Sequence, residues 1–227
     1  MDFVRTFQQS WPLLLTGLGM TVLISIVSII IGMAVGLMSC LMGMSKNPIP
    51  RSVSRFYVWV IRGTPMIVQG FLVYLGLPQL VSLMIPGWKI DVVTASIITL
   101  SLNAGAYMSE IFRGGIQAVD SGQVEAARSL GLSSTRTMTR IVLPQAVRIA
   151  IPSMVNQFII TIKDTSILSV IGLAEIVNKA RQYLGTTYQF FATWVFVAGF
   201  YLGVISALMA VSRWVERKLA YATEDHR

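Results

Sequence analysis

Forty consecutive residues, Thr6 to Ser45, carry no formal charge, and no other feature limits the fold as strongly. A helix crosses the hydrocarbon core of a bilayer with about 20 apolar residues. The apolar part of this run, from about Trp11 to Met44, supplies more than that. A secretory leader is the competing explanation, but its apolar region is only about 7 to 15 residues long and follows a basic start. The opening MDFVR is not strongly basic, so the run is expected to be a retained transmembrane helix. Composition agrees, with 54% hydrophobic and only 12% charged residues, whereas soluble domains are roughly 25% charged.

Four further apolar segments follow, so the expectation is an all-α integral membrane protein with five spans, at about 11–44, 56–85, 92–112, 149–173 and 190–211. An odd number places the termini on opposite sides, and Lys/Arg bias selects the orientation. Lys46, Arg51, Arg55, Arg62, Arg113, Arg128, Arg136, Arg140, Arg148, Arg213, Arg217, Lys218 and Arg227 fall on one side. Only Arg5, Lys89, Lys179 and Arg181 fall on the other, with Lys163 inside a span. The N-terminus is therefore expected outside and the C-terminus in the cytoplasm.

The net charge of +8 does not indicate nucleic acid, because the basic residues sit in small groups between apolar runs. Cys40 is the only cysteine and lies in the first apolar run, which suits a structural thiol; His226 is the only histidine. No metal site is expected, since no Cys/His cluster exists to build one. The largest polar connection, between spans three and four, leaves no room for a soluble catalytic domain.

That connection contains EAARSLGLSSTRTMTRIVLP, residues 125–144. Asp120 followed by Gln123 has the spacing of a capping box, with Ser121 an alternative cap. Gly131 suits the left-handed position that closes a helix. Ser133 or Ser134 can cap a second helix, which Pro144 is expected to limit. The segment 120–144 thus reads as a cytoplasmic helix, a glycine turn and a second helix. Val124, Ala127 and Leu130 share one face of the first.

The pattern Glu125, Ala126, Ala127, three residues, Gly131, nine residues, Ile141, one residue, Leu143 and Pro144 resembles the EAA loop of bacterial ATP-binding cassette importer permeases. The chain is similar in particular to the polar amino-acid uptake family of histidine, glutamine, arginine and cystine permeases. Arg62 to Pro65 (RGTP), Tyr107 to Arg113 (YMSEIFR) and Lys163 to Ser166 (KDTS) also look like segments of that family. The resemblance implies the type I importer permease fold. It also implies a coupling helix at about Glu125 to Leu130 that docks on the ATPase, with Glu125 and Arg128 as polar contacts. Implied partners are an ATPase dimer, a second permease of the same or a similar sequence, an extracytoplasmic amino-acid-binding protein and membrane lipid. ATP is expected on the partner, because the sequence has no Gly-Lys dipeptide and so no phosphate-cradling P-loop. No cofactor is expected on this chain, which is not expected to be an enzyme.

Ionisable residues within a span are functional candidates. With span four starting near Ile149, a rise of about 1.5 Å per residue puts Asp164 roughly 22 Å deep, just past the midplane. Its carboxylate could meet a substrate ammonium, or pair with a neighbouring helix or the second subunit. Asn103, Tyr107 and Glu110 share a face at i, i+4 and i+7. Asn103 and Tyr107 are candidate pocket residues, though Asn103 could equally bind helix to helix. Glu110 and Arg113 suit a gate or ion pair at the cytoplasmic mouth, and Gln69 is a further pocket candidate. An ion-coupled secondary transporter or channel, using Asp164 and Glu110 as relay groups, is the rival function.

Overall fold

Helix is the only regular structure among the described residues, as expected where lipid offers no partner to an unpaired backbone group. The computed structural model describes residues 3–224; His226 and Arg227, the latter counted in the charge bias, lie outside the described residues. Among the described residues four helical stretches are long and apolar enough to cross a membrane, or five if a pair bent at a short break counts as one.

The first span, α1 (Phe3–Gly43), starts before the apolar run and ends close to its expected boundary. It packs along the third span, α5 (Val92–Gln117), which is capped by Asp91 accepting from the Val93 and Thr94 amides. Hydrogen bonds from Thr94 hold the Asp91 carboxyl below its ordinary range. This cap is therefore complete above that range and is lost as pH falls through the lowered value.

The α1–α5 contact is close because Gly32 and Gly36 face Ala104, Gly105 and Met108. A Cβ on Gly36 would stand 2.6 Å from the Met108 Cβ and 2.8 Å from the Gly105 carbonyl oxygen. Replacing Gly36 by Leu is expected to cost about 3 kcal/mol, seen as a lower thermal midpoint in detergent. Gly19→Leu, on a stretch of α1 with nothing within 4 Å, is the control and leaves the midpoint in place. Equal behaviour of the two variants would remove the packing argument.

The second span is not the continuous helix expected over 56–85. Its first part, α2 (Pro48–Gly63), ends at Thr64 and Pro65. The chain resumes as α3 (Met66–Phe71), a π turn (Leu72–Gly76) and α4 (Leu77–Val81), bent by 108° from α2. Pro65 has no amide hydrogen and holds the residue before it in extended geometry, so the helix cannot run through.

The 120–144 segment forms α6 (Ser121–Ser129) and α7 (Ser134–Thr137), separated by the Gly131 turn. Asp120 caps α6 by accepting from the Gly122 amide. The reciprocal half of the expected capping box is not formed, because the Gln123 side chain instead accepts from Gln145 at 2.6 Å. Ser133 caps α7, accepting from the Arg136 amide.

Pro144 does not end the second helix. A π turn (Met138–Val142) widens the coil ahead of it, and α8 (Leu143–Asp164) continues with Pro144 in its first turn. The wider turn relieves the clash of a proline ring with the carbonyl four residues earlier. The rod that crosses the membrane therefore begins at Ser134 rather than near Ile149.

The α-helix of span four also stops earlier than the expected 173. At Asp164 it tightens into a 3-10 turn (Thr165–Ile171), which Gly172 closes at φ 96°. The connection between spans four and five, read from sequence only as a short polar link, contains α9 (Ile176–Thr187). This helix packs Ile176 and Ala180 against Leu14 of α1 and Val197 of the last span, and also buries Leu184. That span lies in α10 (Phe190–Glu224) and begins at the expected residue, with the stretch able to cross ending at Trp214.

Candidate substrate pathway and coupling loop

One face of α5 anchors both sides of the break in span two. Beyond the break, the Gln69 amide nitrogen donates to the Ile61 carbonyl at 2.7 Å, the Thr64 carbonyl at 3.0 Å and the Thr64 hydroxyl at 2.9 Å. It thereby occupies carbonyls that the interrupted helix leaves free. Its oxygen accepts from Asn103 Nδ2 at 3.1 Å. Before the break, Arg62 lies 5.3 Å from the Tyr107 ring centroid and 3.4 Å from Glu110. Asn103, Tyr107 and Glu110 do share a face, and every one of them holds the broken helix.

The four pocket candidates are therefore not equivalent. Gln69 and Asn103 are buried and bonded to each other. Tyr107 is 37% exposed beneath Arg62. Asp164 is half-buried where α8 tightens, and its carboxylate has no hydrogen bond or ion pair with any other described residue. Lys163, its neighbour in the chain, is exposed. The 3-10 turn that begins after Asp164 packs on α3, where the Leu168 side chain presses against Gly70, next to Gln69.

Toward the C-terminal end of α5, Glu110 also accepts two hydrogen bonds from Arg113, so one carboxylate serves two guanidinium groups. These residues border a cavity of about 530 Å³ between α1, α2 and α5. Its inner wall is a cluster of hydroxyls in which Ser54 donates to the Ser39 carbonyl at 2.7 Å and Ser109 to the Ser39 hydroxyl at 3.2 Å. Arg62 was visible in sequence only within the RGTP segment; its spacing carried no indication of the contact with Glu110. Cys40 is buried with its thiol toward Met44, and no group of metal-ligating side chains occurs among the described residues.

In the 120–144 loop, Leu130 is the C-cap of α6 and Gly131 takes φ 83°. The Leu132 amide donates to the Ala127 carbonyl and the Gly131 amide to the Arg128 carbonyl, the paired bonds of a Schellman closure. Ala127 is buried against the underlying helices, whereas Glu125 and Ala126 are exposed. Leu130, expected on the Ala127 face, stands 82% exposed at the tip. Arg128 donates to the Ser134 hydroxyl at 2.7 Å, so its side chain braces the joint between α6 and α7.

Residues 34–221 match the model of the family described as binding-protein-dependent transport system inner membrane component. The chain is 38% identical to the probable amino-acid ABC transporter permease protein PatM of Vibrio harveyi, over 92% of each chain. It is likewise 38% identical to the arginine transport system permease protein ArtQ of Bacillus subtilis, over 96% of this chain and 97% of the relative. A chain of a solved structure, the crystal structure of an amino acid ABC transporter with histidines, superimposes with a TM-score of 0.90 at 37% identity, covering 96% of this chain and 99% of that one. With its several apolar helices, the chain belongs to this family of multi-pass inner membrane transport components.

Proposed function

We propose that this chain is the permease subunit of an importer that carries a polar amino acid inward by alternating access. A separate ATP-binding cassette ATPase dimer drives it, and an extracytoplasmic binding protein feeds it. The observation that carries the amino-acid assignment is Asp164, a carboxylate within span four that has no hydrogen bond or ion pair among the described residues and feels only the charge of its exposed neighbour Lys163. Isolated charges are costly in a membrane, and an α-ammonium group is the complement every amino-acid substrate supplies. The names of the similar permeases support the same substrate class.

In this reading the C-terminus and the 120–144 loop lie in the cytoplasm, as the basic residues favour. Asn103 and Tyr107 line the path beside Asp164, and Gln69 sets the break that opens it. Glu125, Ala126 and the exposed Leu130 meet the ATPase, while Ala127, Arg128 and Gly131 shape the helix that presents them. ATP binds on the partner and no cofactor on this chain. A second permease, identical or similar, completes the pathway.

Proteoliposomes containing the permease, the ATPase and the binding protein test this reading. Uptake of the amino acid is expected to vanish without the ATPase and to survive collapse of the proton and sodium gradients. Uptake that instead follows an ion gradient overturns it in favour of an ion-coupled transporter. Binding assays across the amino acids with the cognate binding protein identify the substrate.

A further inference from the structure

Glu175 is a carboxylate with 0% exposure, and nothing in the reading above uses it. It precedes α9 and caps it, its Oε1 accepting from the Asn178 amide at 2.7 Å. A cap alone does not require glutamate, because Ser, Thr or Asp serve there and a shorter side chain buries less charge. The longer arm makes a second connection, with Oε2 accepting from the Tyr201 hydroxyl on α10 at 3.4 Å. That hydroxyl stands beside the Thr165 and Ser166 side chains, which directly follow Asp164.

Other contacts reinforce this junction. Asn178 donates to the Ser169 carbonyl at 3.3 Å, which ties the first turn of α9 to the 3-10 turn after Asp164. The Ile176 amide donates to the Thr21 hydroxyl at 3.3 Å, fixing the start of α9 on α1. The opposite side of α9 exposes Arg181, Gln182 and Gly185. A force applied to that exposed face therefore reaches Thr165 and Ser166 through one buried side chain and one tyrosine.

We propose that Glu175 is a positioning residue that links the outer helix α9, through Tyr201, to the Asp164–Ser166 segment. When a binding protein engages the outer surface, a shift of α9 is passed to the residues beside Asp164. This rests on the importer reading and on the outer placement of α9. The carboxylate does not touch substrate; its two accepted hydrogen bonds hold α9, α10 and the 3-10 turn in one register.

The test uses the full complex with its ATPase in lipid nanodiscs, and measures ATP hydrolysis with and without liganded binding protein. For Glu175→Ala, stimulation by the binding protein is expected to fall at least about fivefold, as for loss of a buried hydrogen-bonded junction. The basal rate and the half-stimulating concentration of binding protein stay within about twofold, because the exposed face of α9 is unchanged. Glu175→Gln keeps an acceptor for the Asn178 amide and a polar contact for Tyr201, and restores most of the stimulation. Tyr201→Phe removes one hydroxyl only and lowers stimulation at least about twofold, which decides the matter if the Ala variant does not assemble.

Parallel loss of basal and stimulated rates in Glu175→Ala overturns the proposal, as does full stimulation in Tyr201→Phe. A raised half-stimulating concentration with normal maximal stimulation also overturns it, because Glu175 would then merely shape the docking surface. If the unaltered complex is not stimulated at all, the importer reading fails instead.

Discussion

Uptake by Gly131→Val is expected to fall at least about tenfold while the complex still assembles and hydrolyses ATP. Gly131 sits at φ 83°, where a side chain costs an L-residue roughly 1 to 2 kcal/mol. A β-branched residue lies at the upper end of that cost. Nothing lies within 4 Å of where its Cβ would be, so the effect is conformational and not a clash. Relief requires the turn to open, which breaks the bonds from the Leu132 amide to Ala127 and from the Gly131 amide to Arg128. Leu130 at the exposed tip then no longer stands in a fixed relation to α7 and the rod beyond it. A helix that transmits motion must be rigid at both ends, so hydrolysis continues while transport is lost. Gly131→Asn, which tolerates the left-handed region far better, is expected to keep most of the uptake. Unchanged uptake per ATP hydrolysed in Gly131→Val would remove this turn from the coupling mechanism.

Hydropathy was enough to find the long apolar helices, and capping chemistry the glycine turn, because both rest on local chemistry. Forty uncharged residues have few alternatives in water, and Gly131, between a helix capped at Asp120 and one capped at Ser133, has few alternatives to a left-handed closure. The failures occurred where a proline acts through its surroundings. Pro65 breaks span two outright, whereas Pro144 is absorbed by a π turn. Both have the same local restriction, and the difference lies in the contacts made around each break. Gln69 is present to occupy carbonyls at the first break, and Gln145 ties the start of α8 to Gln123 on α6 beyond the second. The common face of Asn103, Tyr107 and Glu110 was readable from helical spacing, but their partners were not. Arg62 and Gln69 reach that face only because the bent span folds across it. Glu175 gave no warning either, since a glutamate in a polar outer connection has the composition of an ordinary solvated residue.

Asp164→Asn carries the second large effect and separates two roles for the same carboxylate. The substitution keeps size and one acceptor oxygen and removes only the charge. No described residue of this chain hydrogen-bonds or ion-pairs with that carboxylate, so the fold loses no contact and the amount of assembled complex is expected to remain unchanged. If the carboxylate meets the substrate ammonium, removal of one member of a desolvated charged pair costs about 2 to 5 kcal/mol. At about 1.4 kcal/mol per tenfold, uptake at limiting substrate then falls roughly 30-fold or more. Lys163→Arg is the matched control: it keeps the charge beside Asp164 and its side chain is exposed, so uptake is expected to stay within about twofold. A structural ion pair to the second permease gives a different pattern, in which Asp164→Asn lowers dimer yield and the surviving complexes transport with normal affinity. Measuring yield and concentration dependence on the same preparations distinguishes the two, and normal affinity in an assembled Asp164→Asn complex removes this residue from the substrate site.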